Sequence, residues 1–335
     1  MNELSELGEF GLIDLIKQDT INNHGNVIVG IGDDAAVLLP APRQLQLLTT
    51  DMLVESVHFD LTTTTPWQLG YKAIAVNVSD IAAMGGAPRH AVVSLALPKS
   101  TPAEFVVNLY QGMKEICHEF GVNIVGGDTV SNPHGIVINV TVAGEVEPAN
   151  LVRRSGAKPG DIVAVTGFLG DSAAGLALLG AGEWEDYDFA WPLVTAHLTP
   201  RPQVSAGQLL GSNGATSMDD ISDGLASEVH EIAKASNVGI RLYAEEIPMR
   251  NELKEAAKVM DKPALDYALY GGEDFQLVFT MEPHQFEILT ASQENFSWFK
   301  VGEVVTADQG VTLVDEEGNV QRLEARGYNH FHQEE

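Results

Sequence analysis

The chain has 335 residues, of which 44% are hydrophobic and 20% charged, a globular composition long enough for two domains. Its net charge of −28 argues against binding to nucleic acid or to anionic membranes. The single cysteine, Cys117, excludes an intrachain disulfide, and no signal peptide or membrane-spanning apolar run is recognisable. We therefore expect a cytoplasmic protein.

The first half alternates short apolar runs with helical patterns. The predicted strands are 27–30, 37–39, 46–54, 90–97, 123–125 and 136–146. A helix is predicted over 66–83, with Pro66 in its first turn. A second, amphipathic helix begins after Pro102, repeats apolar residues at helical spacing up to Phe120, and ends at Gly121.

The second half follows a connector over 148–160 that contains proline, glycine and a basic cluster. We therefore predict two domains, 1–148 and 149–335. Strands are predicted at 161–166, 275–280, 301–305 and 311–314. Helices are predicted at 171–179, from about Pro200, and at 222–235. Both halves mix strands and helices, so the expected fold class is α/β or α+β.

Five segments place aspartates beside apolar runs and small residues. They are GIGDDAA at 30–36, TTD at 49–51, NVSD at 77–80, GGDT at 126–129 and MDDISDGL at 218–225. Any one of them is ordinary helix-cap or turn chemistry. Five similar segments indicate more, because a buried carboxylate needs a partner and few lysines or arginines lie near these positions in the sequence.

A divalent cation is the natural partner for these carboxylates. Mg²⁺ takes oxygen ligands, usually one or two carboxylates with water and phosphate oxygens, and several aspartates on scattered loops suit several ions on a polyphosphate. Histidine and cysteine do not accompany them, which argues against Zn²⁺. The glycine pairs at 85–86, 126–127 and 271–272 suit either close approach of a phosphate or a plain turn.

Other nucleotide-binding signatures fit less well. Residues 30–35 read G-x-G-x-x-A after a strand, but Asp33 and Asp34 would repel a pyrophosphate and no long helix follows. A P-loop, the protein-kinase motifs and a G-x-S-x-G elbow are absent from the sequence. Cys117 lies on the apolar side of its helix, so we expect it in the core.

Together these segments resemble the thiamine-monophosphate kinase family, in order from about residue 6 to the C-terminus. The matching strings are GIGDDA at 30–35, TTD at 49–51, VHF at 57–59, YKAIAVNVSDIAAMG at 71–85, GGDT at 126–129, RSGAKPGD at 154–161, GDSAAGL at 170–176, ISDGL at 221–225, GGEDF at 271–275 and GYNHF at 327–331. The resemblance implies an N-terminal α/β domain that forms an intersubunit β-barrel in a homodimer, and a C-terminal α+β domain.

The resemblance also implies roles for individual residues. The implied Mg²⁺ ligands are Asp33, Asp34, Thr49, Thr50, Asp51, Asp80, Asp128, Asp220 and Asp223. The implied ATP contacts are Thr50, Tyr110, Gly127, Asp128, Arg154 and Ser222. The implied substrate contacts are His58, Glu273 and Tyr328.

Several of these roles have alternatives. Asp33 either binds metal or only caps its turn, and Tyr110 either flanks the nucleotide or packs in its helix. Arg153 precedes Arg154 and could take its place. His58 could be a satisfied buried histidine, and Tyr328 a packing anchor. The segment 182–191 is acidic and aromatic and matches none of the motifs, so we predict a surface loop.

The implied reaction is ATP-dependent phosphorylation of thiamine monophosphate to thiamine diphosphate, the final step of thiamine diphosphate biosynthesis. The acceptor is a phosphate that is largely ionised at neutral pH, so we expect direct γ-phosphoryl transfer without a general base. One alternative is a related enzyme with another acceptor; the sequence lacks the reactive cysteine of selenophosphate synthetases and the C-terminal cysteine of hydrogenase-maturation proteins. The other is a non-catalytic Mg-ATP-binding protein.

Overall fold

The computed structural model describes residues 12–13, 15–31, 36–182, 184–293 and 295–327. These residues form two compact units. The first contains the described residues up to Ile81 together with Gly86–Pro148, and the second contains Ala82–Gly85 and the described residues from Ala149 onward. Both units combine helices with a sheet, as the sequence predicts.

The elements up to residue 146 are β1 (Val27–Val29), β2 (Val37–Leu38), β3 (Leu45–Val54), α1 (Pro66–Ala83), β4 (Ala87–Leu97), α2 (Ala103–Phe120), β5 (Asn123–Ser131) and β6 (Val137–Val146). Strands β1 and β2 pair with each other, and the other four strands form a sheet of order β3-β6-β4-β5. Within this sheet only β4 and β5 are parallel.

One face of this four-stranded sheet is buried and the other is exposed. On the buried face, Ile81 of α1 lies against Gly144 of β6, and Val93 and Val140 are almost fully enclosed. On the opposite face the register groups four exposed apolar side chains, which we call the open sheet face: Leu48, Met52, Val92 and Val130. Leu48 is 76% exposed.

Glycines allow α1 and α2 to approach through their backbones. A Cβ on Gly70 would overlap the carbonyl oxygen of Leu109, and one on Gly112 would overlap that of Trp67. Glycine inside a helix costs roughly 0.5–1 kcal/mol relative to alanine. The close crossing of the two helices explains why glycine is present at both positions.

The elements of the second unit are β7 (Ile162–Val165), α3 (Asp171–Ala181), α4 (Ala190–Leu198), α5 (Val204–Ser212), β8 (Ser217–Asp220), α6 (Leu225–Ser236), β9 (Gly239–Tyr243), α7 (Asn251–Val259), α8 (Ala264–Tyr270), β10 (Leu277–Met281), α9 (Pro283–Ser292), β11 (Phe299–Val305), β12 (Val311–Val314) and β13 (Val320–Arg322). Their sheet has the order β13-β12-β9-β11-β7-β10-β8. Only β12 and β9 pair in parallel.

Hydrophobic clusters cover both faces of this sheet. Successive residues of β7 point to opposite sides, so Val163 and Val165 pack with α6, whereas Ile162 and Ala164 pack with α5 and α9. Every residue of β7 is therefore buried.

Within the described part of the chain, no helix has the length and apolar character needed to cross a membrane.

The predicted helices over 66–83 and up to Phe120 are confirmed, and Gly121 ends the second one in the left-handed conformation with φ 69°. Cys117 is buried in α2, as predicted. Two other predictions are wrong. Strand β5 runs to Ser131, so GGDT lies inside a strand rather than after one. The segment 182–191 is not entirely a loop, because α4 begins at Ala190.

Candidate functional site

Two carboxylates of the first unit face each other. Asp51 is on β3 and Asp80 is on α1, and the Thr49 hydroxyl, two residues from Asp51 and on the same face of β3, donates a hydrogen bond to Asp80 Oδ2. Burial raises the pKa of Asp51, and the neighbouring Asp80 carboxylate raises it further. Asp51 Oδ2 is buried without a hydrogen-bond partner among the described residues.

This carboxylate pair fits a Mg²⁺ ion. A cation would relieve the repulsion between the two side chains, and the unpartnered oxygen of Asp51 would coordinate it. Among the described residues, no group of three or more histidine, cysteine, aspartate or glutamate side chains could hold a metal by itself. Mg²⁺ usually takes only one or two carboxylates, so water and phosphate oxygens would complete its shell.

Thr50 and Asp128 lie on the opposite face of the sheet from Asp51. The Thr50 hydroxyl lies 3.1 Å from the Val140 carbonyl oxygen, to which it donates, and it accepts from Asn139 Nδ2 at 3.1 Å and from the Thr141 hydroxyl at 2.9 Å. Asp128 is exposed and pairs in register with Ser94. The sheet register therefore does not bring these two side chains to the Asp51–Asp80 pair.

Gly127 has a packing role in strand β5. A Cβ at this position would overlap the carbonyl oxygen of Val93 on the neighbouring strand β4. Gly126 has more room, since its nearest neighbour would be a Val92 methyl group at 3.6 Å. The close pairing of β4 and β5 is therefore sufficient to require glycine at the second position of the pair.

In the second unit, a buried acidic cluster contains an arginine. Arg154 Nε lies 2.7 Å from Asp219 Oδ2, and Asp219 and Asp220 are both buried in β8. Burial raises the pKa of Asp219, while the Arg154 guanidinium opposes that rise. The structure thus pairs Arg154 with a buried carboxylate, and the contact described for Arg153 is through its backbone, whose carbonyl accepts from the Met218 N–H at 3.0 Å.

The loop between β8 and α6 carries Ser222 and Asp223, and Glu228 of α6 holds it. Glu228 Oε1 accepts from the Asp223 N–H at 3.0 Å and from the Ser222 hydroxyl at 3.4 Å. Burial raises the pKa of Glu228, and the Asp219 carboxylate raises it further.

Neither Asp219 nor Glu228 is among the sequence-predicted site residues. The available signal for Glu228 was its place on the apolar face of α6, next to Val229 and one turn from Leu225 and Ile232, which are all buried. The predicted start of this helix at 222 is also wrong, because α6 begins at Leu225 after Gly224 with φ 103°.

Glu273 lies in a loop that hydrogen-bonds directly to Ser222. The Glu273 N–H donates to the Ser222 carbonyl at 2.7 Å, and the Phe275 N–H donates to Ile221 at 2.9 Å. A Cβ on Gly272 would lie 2.6 Å from the same Ser222 oxygen. The structure therefore brings a predicted substrate residue, Glu273, to a predicted ATP residue, Ser222.

The Glu273 loop is strained and is supported by buried polar groups. Glu273 and Phe275 have φ values of 67° and 48°, in the left-handed region that non-glycine residues rarely adopt. Glu273 Oε2 lies 3.3 Å from His197 Nδ1. The buried Asp274 accepts from the Gly170 N–H at 2.6 Å and from the Ser172 N–H at 3.1 Å, at the start of α3. These contacts fix the direction of the Glu273 side chain.

His58 follows β3 in a tight turn. Its Nδ1 accepts from the Val54 N–H at 3.0 Å, so the proton of the neutral ring is on Nε2. Tyr110 is buried in α2, where burial raises the pKa of its hydroxyl, in keeping with the packing alternative. Asp33, Asp34 and Tyr328 lie outside the described residues.

Family models match most of the chain. Residues 32–146 match the N-terminal domain of AIR synthase related proteins, and residues 158–315 match their C-terminal domain. The thiamine-monophosphate kinase of Bacillus subtilis is 39% identical over 334 residues, covering 97% of this chain and 100% of that protein. The chain belongs to the thiamine-monophosphate kinase family.

Solved structures agree with this family assignment. The thiamine-monophosphate kinase of Stenotrophomonas maltophilia superposes with a TM-score of 0.82 at 32% identity, covering 91% of this chain and 96% of that one. AaThiL complexed with AMPPCP and TMP superposes with a TM-score of 0.79 at 37% identity, covering 99% of both chains. The two-domain α/β fold of this thiamine-monophosphate kinase family member is thus the fold of AIR synthase related proteins.

Proposed function

We propose that this chain transfers the γ-phosphoryl group of ATP to the phosphate of thiamine monophosphate, forming thiamine diphosphate and ADP in the last step of thiamine diphosphate biosynthesis. The observation that carries this proposal is the similarity over 99% of the chain to AaThiL complexed with AMPPCP and TMP. AMPPCP is an ATP analogue, and TMP abbreviates thiamine monophosphate. The contact between the Glu273 loop and Ser222 is consistent with the proposal, because it brings together two residues to which the family resemblance gives roles.

Asp51 and Asp80 would hold one Mg²⁺ together with Thr49. Further ions would be held by the remaining proposed ligands, of which Thr50 and Asp128 lie on the opposite face of the sheet: Asp33, Asp34, Thr50, Asp128, Asp220 and Asp223. When bound, Mg²⁺ neutralises phosphate charge and supplies Lewis-acid stabilisation to the transferring group. Asp51 would gain from such a cation, because its Oδ2 is buried without a hydrogen-bond partner among the described residues and the Asp80 carboxylate lies close by.

The other proposed site residues bind and orient the two substrates. Ser222 and Arg154 contact ATP, along with Thr50, Tyr110, Gly127 and Asp128. For the acceptor, His58 donates from Nε2–H, whereas Glu273 and Tyr328 offer a carboxylate and an aromatic face to the cationic thiazolium ring. The Glu273 carboxylate is already oriented by its contact with His197.

The chemistry needs orientation more than proton transfer. An acceptor phosphate oxygen attacks the γ-phosphorus, and the bond to the β,γ-bridging oxygen breaks, so that ADP leaves with that electron pair. The second pKa of a phosphate monoester is near 6, so the acceptor is ionised without a general base. The protein must hold the ATP phosphates and the acceptor phosphate in line for the attack. Arg154 aids this by placing positive charge near the two anions.

The proposed reaction is tested by incubating the protein with Mg²⁺-ATP, with and without thiamine monophosphate. We expect ADP and thiamine diphosphate in equal amounts, and ADP release that depends on the acceptor. With γ-labelled ATP alone, no label should remain on the denatured protein. Binding of Mg²⁺-ATP without turnover would instead support a non-catalytic nucleotide-binding protein, and turnover with another phosphate acceptor would support a related enzyme.

The proposed metal role of Asp51 is tested by thermal unfolding of Asp51→Asn with EDTA and with Mg²⁺. The amide removes a buried charge that repels Asp80, so the variant should melt about 2–4 °C higher in EDTA. It should also lose the stabilisation that Mg²⁺ gives to the unsubstituted protein. The exposed Asp308→Asn variant should behave like the unsubstituted protein in both conditions. An Asp51→Asn protein that melts at a lower temperature in EDTA, and that Mg²⁺ still stabilises, would contradict the proposed metal role of Asp51.

We further propose that residues 1–148 form the ATP- and Mg²⁺-binding and dimerisation domain, with 149–335 as the second domain. The open sheet face supports dimerisation, because four large apolar side chains on β3, β4 and β5 are exposed there, alongside the polar Thr50 and Asp128. Exposed apolar side chains with polar neighbours are typical of a protein interface. A second copy of the same sheet would cover it and close a β-barrel between subunits.

Leu48→Asp tests the homodimer, since it places a charge at the most exposed apolar side chain of the open sheet face. Light scattering coupled to gel filtration should give the mass of a dimer for the unsubstituted protein and of a monomer for this variant. Leu176→Asp is the matched control, because Leu176 is also exposed but lies on α3. A Leu48→Asp protein that remains dimeric would place the subunit contact elsewhere.

A further inference from the structure

Glu228 is a buried acidic side chain that no step of the proposed reaction uses. It is 4% exposed and lies in the first turn of α6, among apolar residues that pack against the sheet. A carboxyl group in such a position costs free energy unless its oxygens make hydrogen bonds. Its presence therefore requires an explanation from the groups that it contacts.

Two hydrogen bonds to Glu228 come from the proposed nucleotide loop. Its Oε1 accepts from the Asp223 N–H at 3.0 Å and from the Ser222 hydroxyl at 3.4 Å. The next residue, Gly224, has φ 103°, a conformation that the loop adopts to enter α6. Glu228 thus fixes the loop at the two residues before this glycine, where Ser222 is proposed to contact ATP and Asp223 to bind Mg²⁺.

Glu228 also contacts the acidic partner of Arg154. Its side chain hydrogen-bonds to Asp219, whose Oδ2 lies 2.7 Å from Arg154 Nε. A single buried side chain therefore connects the loop that carries Ser222 to the carboxylate that orients Arg154. Two of the proposed ATP contacts depend on its position.

We propose that Glu228 is a positioning residue for the nucleotide site, which sets the Ser222–Asp223 loop and, through Asp219, the Arg154 guanidinium. This inference rests on the proposed function for the identity of the nucleotide. Glu228 does so through hydrogen bonds, accepting from the loop and sharing a proton with Asp219, and not as a ligand of ATP or metal. An amide oxygen in the same place would serve the loop in the same way.

Two substitutions separate this role from a general contribution to stability. Glu228→Gln keeps an acceptor oxygen at the same distance from the backbone. Glu228→Leu removes the acceptor but fills a similar space. It leaves the Asp223 N–H without this partner, and it also removes a buried carboxyl group that lies against Asp219, so its two effects on stability oppose each other. Glu231→Ala is the control on the same helix, because the Glu231 side chain is 44% exposed and pairs only with Lys234 among the partners described for its carboxylate.

The measurements are the dissociation constant of Mg²⁺-AMPPCP by calorimetry, the melting temperature, and the KM values for ATP and thiamine monophosphate. For Glu228→Leu we expect binding of the analogue about tenfold weaker and a higher KM for ATP, without a lower melting temperature. Glu228→Gln should bind within about threefold of the unsubstituted protein, and Glu231→Ala should match it. The KM for thiamine monophosphate should change least.

The opposite results overturn the inference. Unchanged affinity in Glu228→Leu would show that the loop does not need this acceptor. If Glu228→Leu proves unstable, the Glu228→Gln variant tests the inference instead. Weak binding of the analogue by Glu228→Gln, at a normal melting temperature, would mean that the charge of Glu228 matters rather than its acceptor oxygen. A protein that binds the analogue but does not use thiamine monophosphate would refute the proposed acceptor and leave the role of Glu228 to be judged by binding alone. An unsubstituted protein that does not bind the analogue would overturn both.

Discussion

The arrangement of the candidate site depends on carboxylates that are held close together away from water. In the first unit Asp51 faces Asp80, and in the second Asp219 faces Glu228. Each arrangement opposes folding, because burial and like charge both disfavour the ionised form. Arg154 offsets part of this cost for Asp219. For Asp51 the described residues leave one oxygen unpartnered, and a bound cation would supply the compensation that the protein lacks.

Close backbone contacts also hold segments that carry candidate site residues. Gly127 allows β5 to pair tightly with β4, and Gly272 allows the Glu273 loop to hydrogen-bond to Ser222. A side chain at either position would force the backbones apart. The glycine pairs that the sequence associates with phosphate binding therefore have a structural reason of their own, and binding of a phosphate nearby would be an additional use of the same positions.

Sequence patterns predicted the long elements of the fold and the residue types of the site, but not its contacts. Helix α2 has a regular apolar face and a glycine stop, so both its ends are visible in the sequence. Helices α4, α7, α8 and α9 were not predicted; they are short, and their apolar residues complete larger clusters formed with distant segments. Local periodicity carries little information about such elements.

For the candidate site, too, the sequence indicated the residues but not their contacts. It showed that Asp51 and Asp80 lie beside apolar runs and that buried carboxylates there would need a partner. Which aspartates share a face was not visible, because that depends on strand register: Asp51 and Asp128 lie on different strands, and the pairing of those strands through β6 and β4 places the two side chains on opposite faces. The pairing of Arg154 with Asp219 and the contacts of Glu228 join residues that are distant or unremarkable in sequence, so only the fold reveals them.

The central claim is that a cation completes the Asp51–Asp80 pair, and the most direct measurement is proton release on Mg²⁺ binding. Titrating the protein with Mg²⁺ near neutral pH, in two buffers of different ionisation enthalpy, gives the number of protons released. Because burial and Asp80 raise the pKa of Asp51 to about 7, a fraction of the free protein holds a proton that the cation must displace. The account predicts net proton release that disappears in Asp51→Asn. Mg²⁺ binding with no proton release, or with the same release in Asp51→Asn, would contradict it.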